Sequence, residues 1–139
     1  MAQTLRNIGN VYYLKREYQK ALERYNMCLE LQTKIKGADS IDVAGTLNNI
    51  GNVCEGKREY QKALEHHDKC LEIRTKIKGA DSIDVAGTLK NIGNVCEGKG
   101  EYQKALEHYN KCLEIETKVK GADSIGVAAT LNNIGYFFY

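Results

Sequence analysis

The sequence predicts an all-α fold: a solenoid of antiparallel helix pairs, with three full repeats and one terminal helix. Three observations carry that prediction. First, a unit of 42 residues recurs. With residues 44–85 as the reference, residues 2–43 match it at 31 of 42 positions and residues 86–127 at 35 of 42, and residues 128–139 begin a fourth copy. A fixed period of this length means stacked supersecondary units rather than a globule. Second, the 139 residues include no proline, which suits helices and disfavours a turn-rich β fold. Third, each unit carries two apolar runs at helical spacing, separated by a glycine–lysine break.

Each unit reads as two helices, and the middle copy serves for all. The first helix of a unit begins at an N-cap. Asp81 or Ser82 fills that role before Ile83-Asp84-Val85, since a short polar side chain there can accept from a free amide of the first turn. On a wheel of 100° per residue, Val43, Leu47, Ile50 and Cys54 share one side, and Asn48, Asn49 and Asn52 the other. Gly51 lies on the flank of the apolar side. A glycine inside a helix costs roughly 1 kcal/mol against alanine. Its return as Gly9, Gly93 and Gly135 therefore predicts a place where two helices approach closely.

Gly56-Lys57-Arg58 ends the first helix, and the second is expected from about Glu59. Its inner face carries Tyr60, Ala63, Leu64, His67, Cys70, Leu71 and Ile77. Its outer face carries Lys62, Glu65, Lys69, Glu72 and Lys76, a solvated stripe with Glu65→Lys69 and Glu72→Lys76 at the favourable i,i+4 spacing. Gly79 follows as a C-terminal stop. One such pair cannot bury its own apolar face, whereas stacked pairs can, so residues 1–139 read as a single domain. The fourth copy would cover the open end of the third. Its tip, Tyr136-Phe137-Phe138-Tyr139, replaces Asn-Val-Cys-Glu with four aromatics and is a candidate self-association surface.

Composition narrows the function. A net charge of +2 is too small to suggest nucleic-acid or membrane attraction. No apolar run approaches the ~18 residues of a membrane span, and Met1-Ala2-Gln3-Thr4 has no basic segment followed by an apolar one, so no secretory signal is visible. The five cysteines follow the repeat, with Cys28, Cys70 and Cys112 at one position and Cys54 and Cys96 at another. They read as small core residues of a reducing compartment, and a cytoplasmic location is expected.

The run Leu47-x-x-Ile50-Gly51-x-x-Cys54 followed by Tyr60-x-x-Ala63-x-x-x-His67-x-x-Cys70 resembles the tetratricopeptide repeat. Tyr12 and Phe138 keep that family's first-helix aromatic, and Tyr25 and Tyr109 its second-helix aromatic. The joint Gly79-Ala80-Asp81-Ser82-Ile83-Asp84-Val85-Ala86 is similar to the 42-residue repeats of kinesin light chains, with both of their prolines and their histidine absent. The resemblance implies a right-handed superhelix whose concave side is formed by the first helices. It also implies a non-catalytic scaffold that binds an extended peptide segment of another protein in that groove.

On the implied groove side the first helices repeat asparagine. Asn7, Asn49, Asn91 and Asn133 form one row, and Asn10, Asn52 and Asn94 another, beside Arg6, Asn48, Lys90 and Asn132. An amide offers both a donor and an acceptor, so a row of amides suits the backbone of an extended peptide. Some family members clamp a C-terminal carboxylate. Arg6, Asn10 and Asn49 match the first three places of such a clamp and Lys90, Asn94 and Asn133 match them again, while Gly87 and Asn91 stand where its further cations would be. The alternative reading is a self-assembling repeat module. Repeats this alike can interchange, giving domain-swapped dimers or run-on fibres through the repeat ends.

Other chemistry finds little support. Gly51-x-x-x-x-Gly56-Lys57 and Gly93-x-x-x-x-Gly98-Lys99 echo a phosphate-binding loop, but Arg58 or Gly100 follows instead of Ser or Thr and no strand precedes. His66, His67, Cys70 and Cys54 could approach a zinc site, yet His67 stands in a core tyrosine's place, so no metal or cofactor is expected. No nucleophile–base–acid set recurs, and an enzyme is not expected.

Overall fold

The computed structural model describes residues 1–120, 129–132 and 134. Six helices follow one another: α1 (Ala2–Leu14), α2 (Tyr18–Lys36), α3 (Ile41–Gly56), α4 (Tyr60–Lys78), α5 (Ile83–Gly98) and α6 (Tyr102–Lys120). Residues 129–132 and 134 are helical as well, and no strand occurs among the described residues. The chain divides into two compact units. Met1–Ile73 holds α1, α2, α3 and most of α4, and Arg74–Tyr139 holds the end of α4, α5 and α6.

Helix starts and stops follow local chemistry. Ser40 and Ser82, not the neighbouring aspartates, cap α3 and α5: each hydroxyl accepts from an amide three residues on, Val43 and Val85, at 3.2 Å. Such a cap contributes about 1 kcal/mol. Gly37 and Gly79, just past α2 and α4, have φ of 90° and 91°, the left-handed region open to glycine. The tight link between the helices of a pair also turns through positive φ, at Arg16, Arg58 and Gly100. Only the third copy has glycine there.

In the first unit α1, α2 and α3 run alternately up and down. The α2 residues Tyr25 and Cys28 meet Asn10 and Ala2 of α1, the later residue meeting the earlier one. Along α3, Gln32 of α2 reaches Thr46 while Tyr18 packs on Gly56. A core cluster forms from Val43, Ala44 and Leu47 of α3 with Cys70 and Ile73 of α4, and Leu29 of α2 packs against it. In the second unit α5 and α6 pair antiparallel, with Tyr109 over Gly93 and Glu116 beside Lys90.

The expected close approach at the helix glycines is present. A Cβ on Gly51 would lie 2.7 Å from the His67 ring, one on Gly9 2.7 Å from Tyr25, and one on Gly93 2.6 Å from Tyr109. Gly135 lies outside the described residues. Two details of the second helix differ from expectation. Ile73, not assigned to the inner face, is fully buried, whereas Ile77 is exposed. It lies in the helix's last turn, past the core residues Cys70 and Ile73. The outer stripe of Lys62, Glu65, Lys69, Glu72 and Lys76 is exposed. Ion pairs also form at the helix start, where Lys57 and Lys62 flank Glu59 at 3.1 and 3.4 Å. Hydrogen bonds from these lysines hold the Glu59 carboxyl below the usual carboxylate range.

Candidate functional site

The asparagines of the first helices occupy distinct environments. Asn7 is exposed and accepts from the Gln3 amide at 3.1 Å, while the Gln3 carbonyl accepts from the Arg6 guanidinium at 2.6 Å. Arg6 leans over α3, its Nη1 3.7 Å from where a Cβ on Gly45 would lie. Asn10 is half-buried, and its Oδ1 accepts from the Tyr25 hydroxyl. Asn94 repeats this with Tyr109, whose single phenolic proton also faces Glu97 Oε1 at 2.8 Å. In the middle copy His67 replaces the tyrosine. Its shorter ring reaches Asn48 instead, Nδ1 donating to Oδ1 at 3.0 Å.

The second amide row is therefore partly committed inward, a role its place on the polar side of the wheel did not announce. Burial is the reason. Tyr25 and Tyr109 are almost completely covered, and a covered hydroxyl must find an acceptor. The same burial, with Tyr13 nearby, pushes the Tyr25 phenol up to about 12, the Arg6 charge opposing.

One group of predicted residues is brought together. Asn10, Asn49 and Asn52 line a cleft of about 330 Å³ in the first unit, with Tyr13, Leu14 and Tyr25 completing its wall. Two of its polar residues, Asn49 and Asn52, sit on α3 and a third on α1, so the cleft runs between the first helices of adjacent repeats. Tyr13 and Leu14 were not singled out from the sequence, yet a signal was there: they stand where the other copies have Glu55-Gly56 and Glu97-Gly98. In the second unit Lys90 lies 4.0 Å from Glu116, Asn91 is half-buried and Asn132 is exposed. Asn133 and the aromatic tip Tyr136, Phe137, Phe138 and Tyr139 lie outside the described residues.

A second polar feature was missed altogether. At each joint between repeats a threonine of the incoming first helix is fully buried and meets a polar residue of the preceding second helix. Thr46 donates to Gln32 at 2.6 Å, Arg74 donates to Thr88 at 2.9 Å, and Thr130 donates to Glu116 at 2.6 Å. The threonine is constant while its partner is an amide, a cation or an anion in turn. A hydroxyl can give or take a proton, so it satisfies all three.

Burial pushes the Cys54 and Cys112 thiols up, which disfavours the thiolate that nucleophilic or metal chemistry requires. His66 and His108 each donate Nδ1–H to a backbone carbonyl one turn back, at Lys62 and Lys104, both at 2.8 Å. Among the described residues no three His, Cys, Asp or Glu side chains converge as a metal site would require, and no helix is long and apolar enough to cross a membrane.

The sequence profile described as "Tetratricopeptide repeat" matches residues 1–76, 42–115 and 84–138. No curated protein sequence matches. Among solved structures, BtubC (BKLC) from P. vanneervenii superposes with a TM-score of 0.89 at 19% identity, covering 99% of this chain and 55% of that one. A Podosopora anserina protein with nearly identical TPR-like repeats of the kinesin-light-chain kind gives 0.85 at 13% identity, covering 98% and 64%. The N-terminal domain of stress-induced protein-1 from C. elegans gives 0.70 at 14%, covering 99% and 94%. At these identities the likeness is one of fold. The chain spans between about half and two thirds of the length of the first two.

Proposed function

Because the chain belongs to the tetratricopeptide repeat family, whose members mediate protein–protein interaction, we propose that it is a non-catalytic scaffold holding an extended peptide of a partner protein against its first helices. The observation that carries this reading is the cleft where Asn10, Asn49 and Asn52 converge beside Tyr13 and Leu14. Asn49 and Asn52 project amides from one face of α3, one turn apart. Each can give and take a hydrogen bond, which is what a peptide backbone needs from a wall. Asn10 contributes mainly its NH2 group, since its oxygen already serves Tyr25. Within the first unit Arg6, Asn7 and Asn48, and within the second Lys90, Asn91, Asn94, Asn132 and Asn133, would add further polar contacts. The five free, buried cysteines suit a reducing, cytoplasmic setting.

The test uses a peptide selected from a random library against the whole chain. Asn49→Ala with Asn52→Ala should weaken it about five- to thirtyfold, the loss of one or two hydrogen bonds at about 1 kcal/mol each, with the far-ultraviolet circular dichroism unchanged. Equal affinity for the double variant would discard the groove. The self-assembling alternative predicts instead a mass that rises with concentration in the absence of any partner, read by light scattering.

A further inference from the structure

The cleft of the first unit is walled by Asn10, Tyr13, Leu14, Tyr25, Asn49 and Asn52, and none of these carries a charge at neutral pH. Arg6, the cation expected beside them, is not in that wall, and its guanidinium donates to Gln3 at 2.6 Å. A ligand carboxylate would therefore leave water for a wall with no counter-charge, which is costly. A neutral backbone amide gives up far less on the same transfer.

One wall residue fixes the orientation of another. The Tyr25 hydroxyl donates to Asn10 Oδ1. Tyr25 is 2% exposed, so its proton needs an acceptor within the protein. Burial also pushes the phenol up to about 12, which keeps that proton in place at neutral pH. Were the Asn10 amide to turn over, its NH2 group would face the hydroxyl and the phenolic proton would lose this acceptor. The third copy is not constrained in the same way. Tyr109 reaches both Asn94 Oδ1 and Glu97 Oε1, so Asn94 can turn while Glu97 takes the proton. In the first copy Tyr13 occupies the position of Glu97.

We propose that Tyr25 sets what the cleft takes: by holding Asn10 with its oxygen inward it leaves two N–H donors on the cleft side, so the group bound there is the carbonyl oxygen of an interior peptide bond. A backbone N–H at that place would set donor against donor, and a terminal carboxylate would lack its counter-ion. Asn49 and Asn52 receive no such bond from Tyr25 and can serve the N–H and C=O groups alongside. An amide already fixed also loses less freedom when the ligand arrives. Tyr25 acts through Asn10 as a positioning residue, a role that rests on the peptide-binding reading above.

The experiment takes a peptide selected from a random library against the whole chain. Binding is followed by fluorescence anisotropy and by the side-chain amide resonances of isotope-labelled protein. Loss of affinity in Asn49→Ala with Asn52→Ala first places the peptide in the cleft, and a peptide indifferent to that pair overturns the groove and this proposal together. For a peptide so placed, amidating its C-terminus should change the affinity less than about twofold. Asn10→Asp keeps an acceptor for Tyr25 but turns an oxygen toward the ligand. It should weaken binding about tenfold or more, and more than Asn10→Ala does, also in about 0.5 M salt, where distant charges are screened. Tyr25→Phe should weaken binding about two- to fivefold and shrink the peptide-induced shift of the Asn10 NH2 resonances, while the shifts at Asn49 and Asn52 persist. Circular dichroism verifies the fold of each variant. With the peptide in the cleft, three results would each overturn the proposal alone: an amidated peptide that no longer binds, an Asn10→Asp no weaker than Asn10→Ala, or a Tyr25→Phe that leaves the Asn10 shift unchanged or lowers all three shifts equally.

Discussion

Gly51 and His67 touch so closely that a single methyl group on the glycine would sit 2.7 Å from the imidazole Cε1 and Nε2. The contact sets how near α3 and α4 lie, and it recurs with a larger ring as Gly9–Tyr25 and Gly93–Tyr109. Gly51→Ala should therefore destabilise the chain by about 1–3 kcal/mol through overpacking, although alanine is the better helix former by roughly 1 kcal/mol. Thermal or urea unfolding measures the sign directly. A stabilised Gly51→Ala would mean that the ring moves aside at little cost.

His67→Tyr should go the other way. The tyrosines of the flanking repeats occupy the same relation to their glycines, so the larger ring has room. Its hydroxyl should reach Asn52 as Tyr25 reaches Asn10, adding about 1 kcal/mol. The substitution should also release Asn48 from His67. Unfolding midpoints of wild type and variant decide it, and a lower midpoint for the tyrosine would show that the middle repeat has repacked around histidine.

Tyr25 ties stability to alkaline pH. Its phenol ionises near 10 in the unfolded chain and is pushed up to about 12 by burial in the folded one. Between those values the unfolded chain binds fewer protons, so stability falls as pH rises, by up to about 2–3 kcal/mol across the window. Burial, with Glu55 next in size, also raises Tyr13, which adds a loss of the same sign. Tyr25→Phe should cost about 1 kcal/mol at pH 7 by leaving the Asn10 oxygen without its donor, and should flatten the fall above pH 10. Urea titrations at pH 8 to 11.5 test both. An equally steep fall in the variant would assign the alkaline loss to other groups.

The threonine seam makes a coupling prediction. Thr46→Val leaves the Gln32 carbonyl buried without its donor and should cost about 1–2 kcal/mol, whereas Thr46→Val with Gln32→Leu replaces both partners by apolar groups and should recover most of that. A double-mutant cycle measures the coupling. Additive losses would show that the 2.6 Å contact contributes nothing of its own.

Much of this molecule is written locally. The repeat, the helices, the serine caps, the glycine stops and the close approach at Gly51 follow from spacings within one 42-residue unit, because helix periodicity and capping depend on neighbours three or four residues away. The tertiary structure decided what no spacing contains. Whether an asparagine faces a ligand or a buried hydroxyl depends on how far a ring from the next helix reaches, and so Asn10 serves Tyr25 while Asn48 serves His67. Whether Ile8 is core or surface depends on whether a helix lies over it, and on α1 none does among the described residues, whereas the identical isoleucine on α3 is sealed. The same residue in the same repeat position thus takes opposite roles, since burial belongs to the packed assembly of helices and not to any one of them.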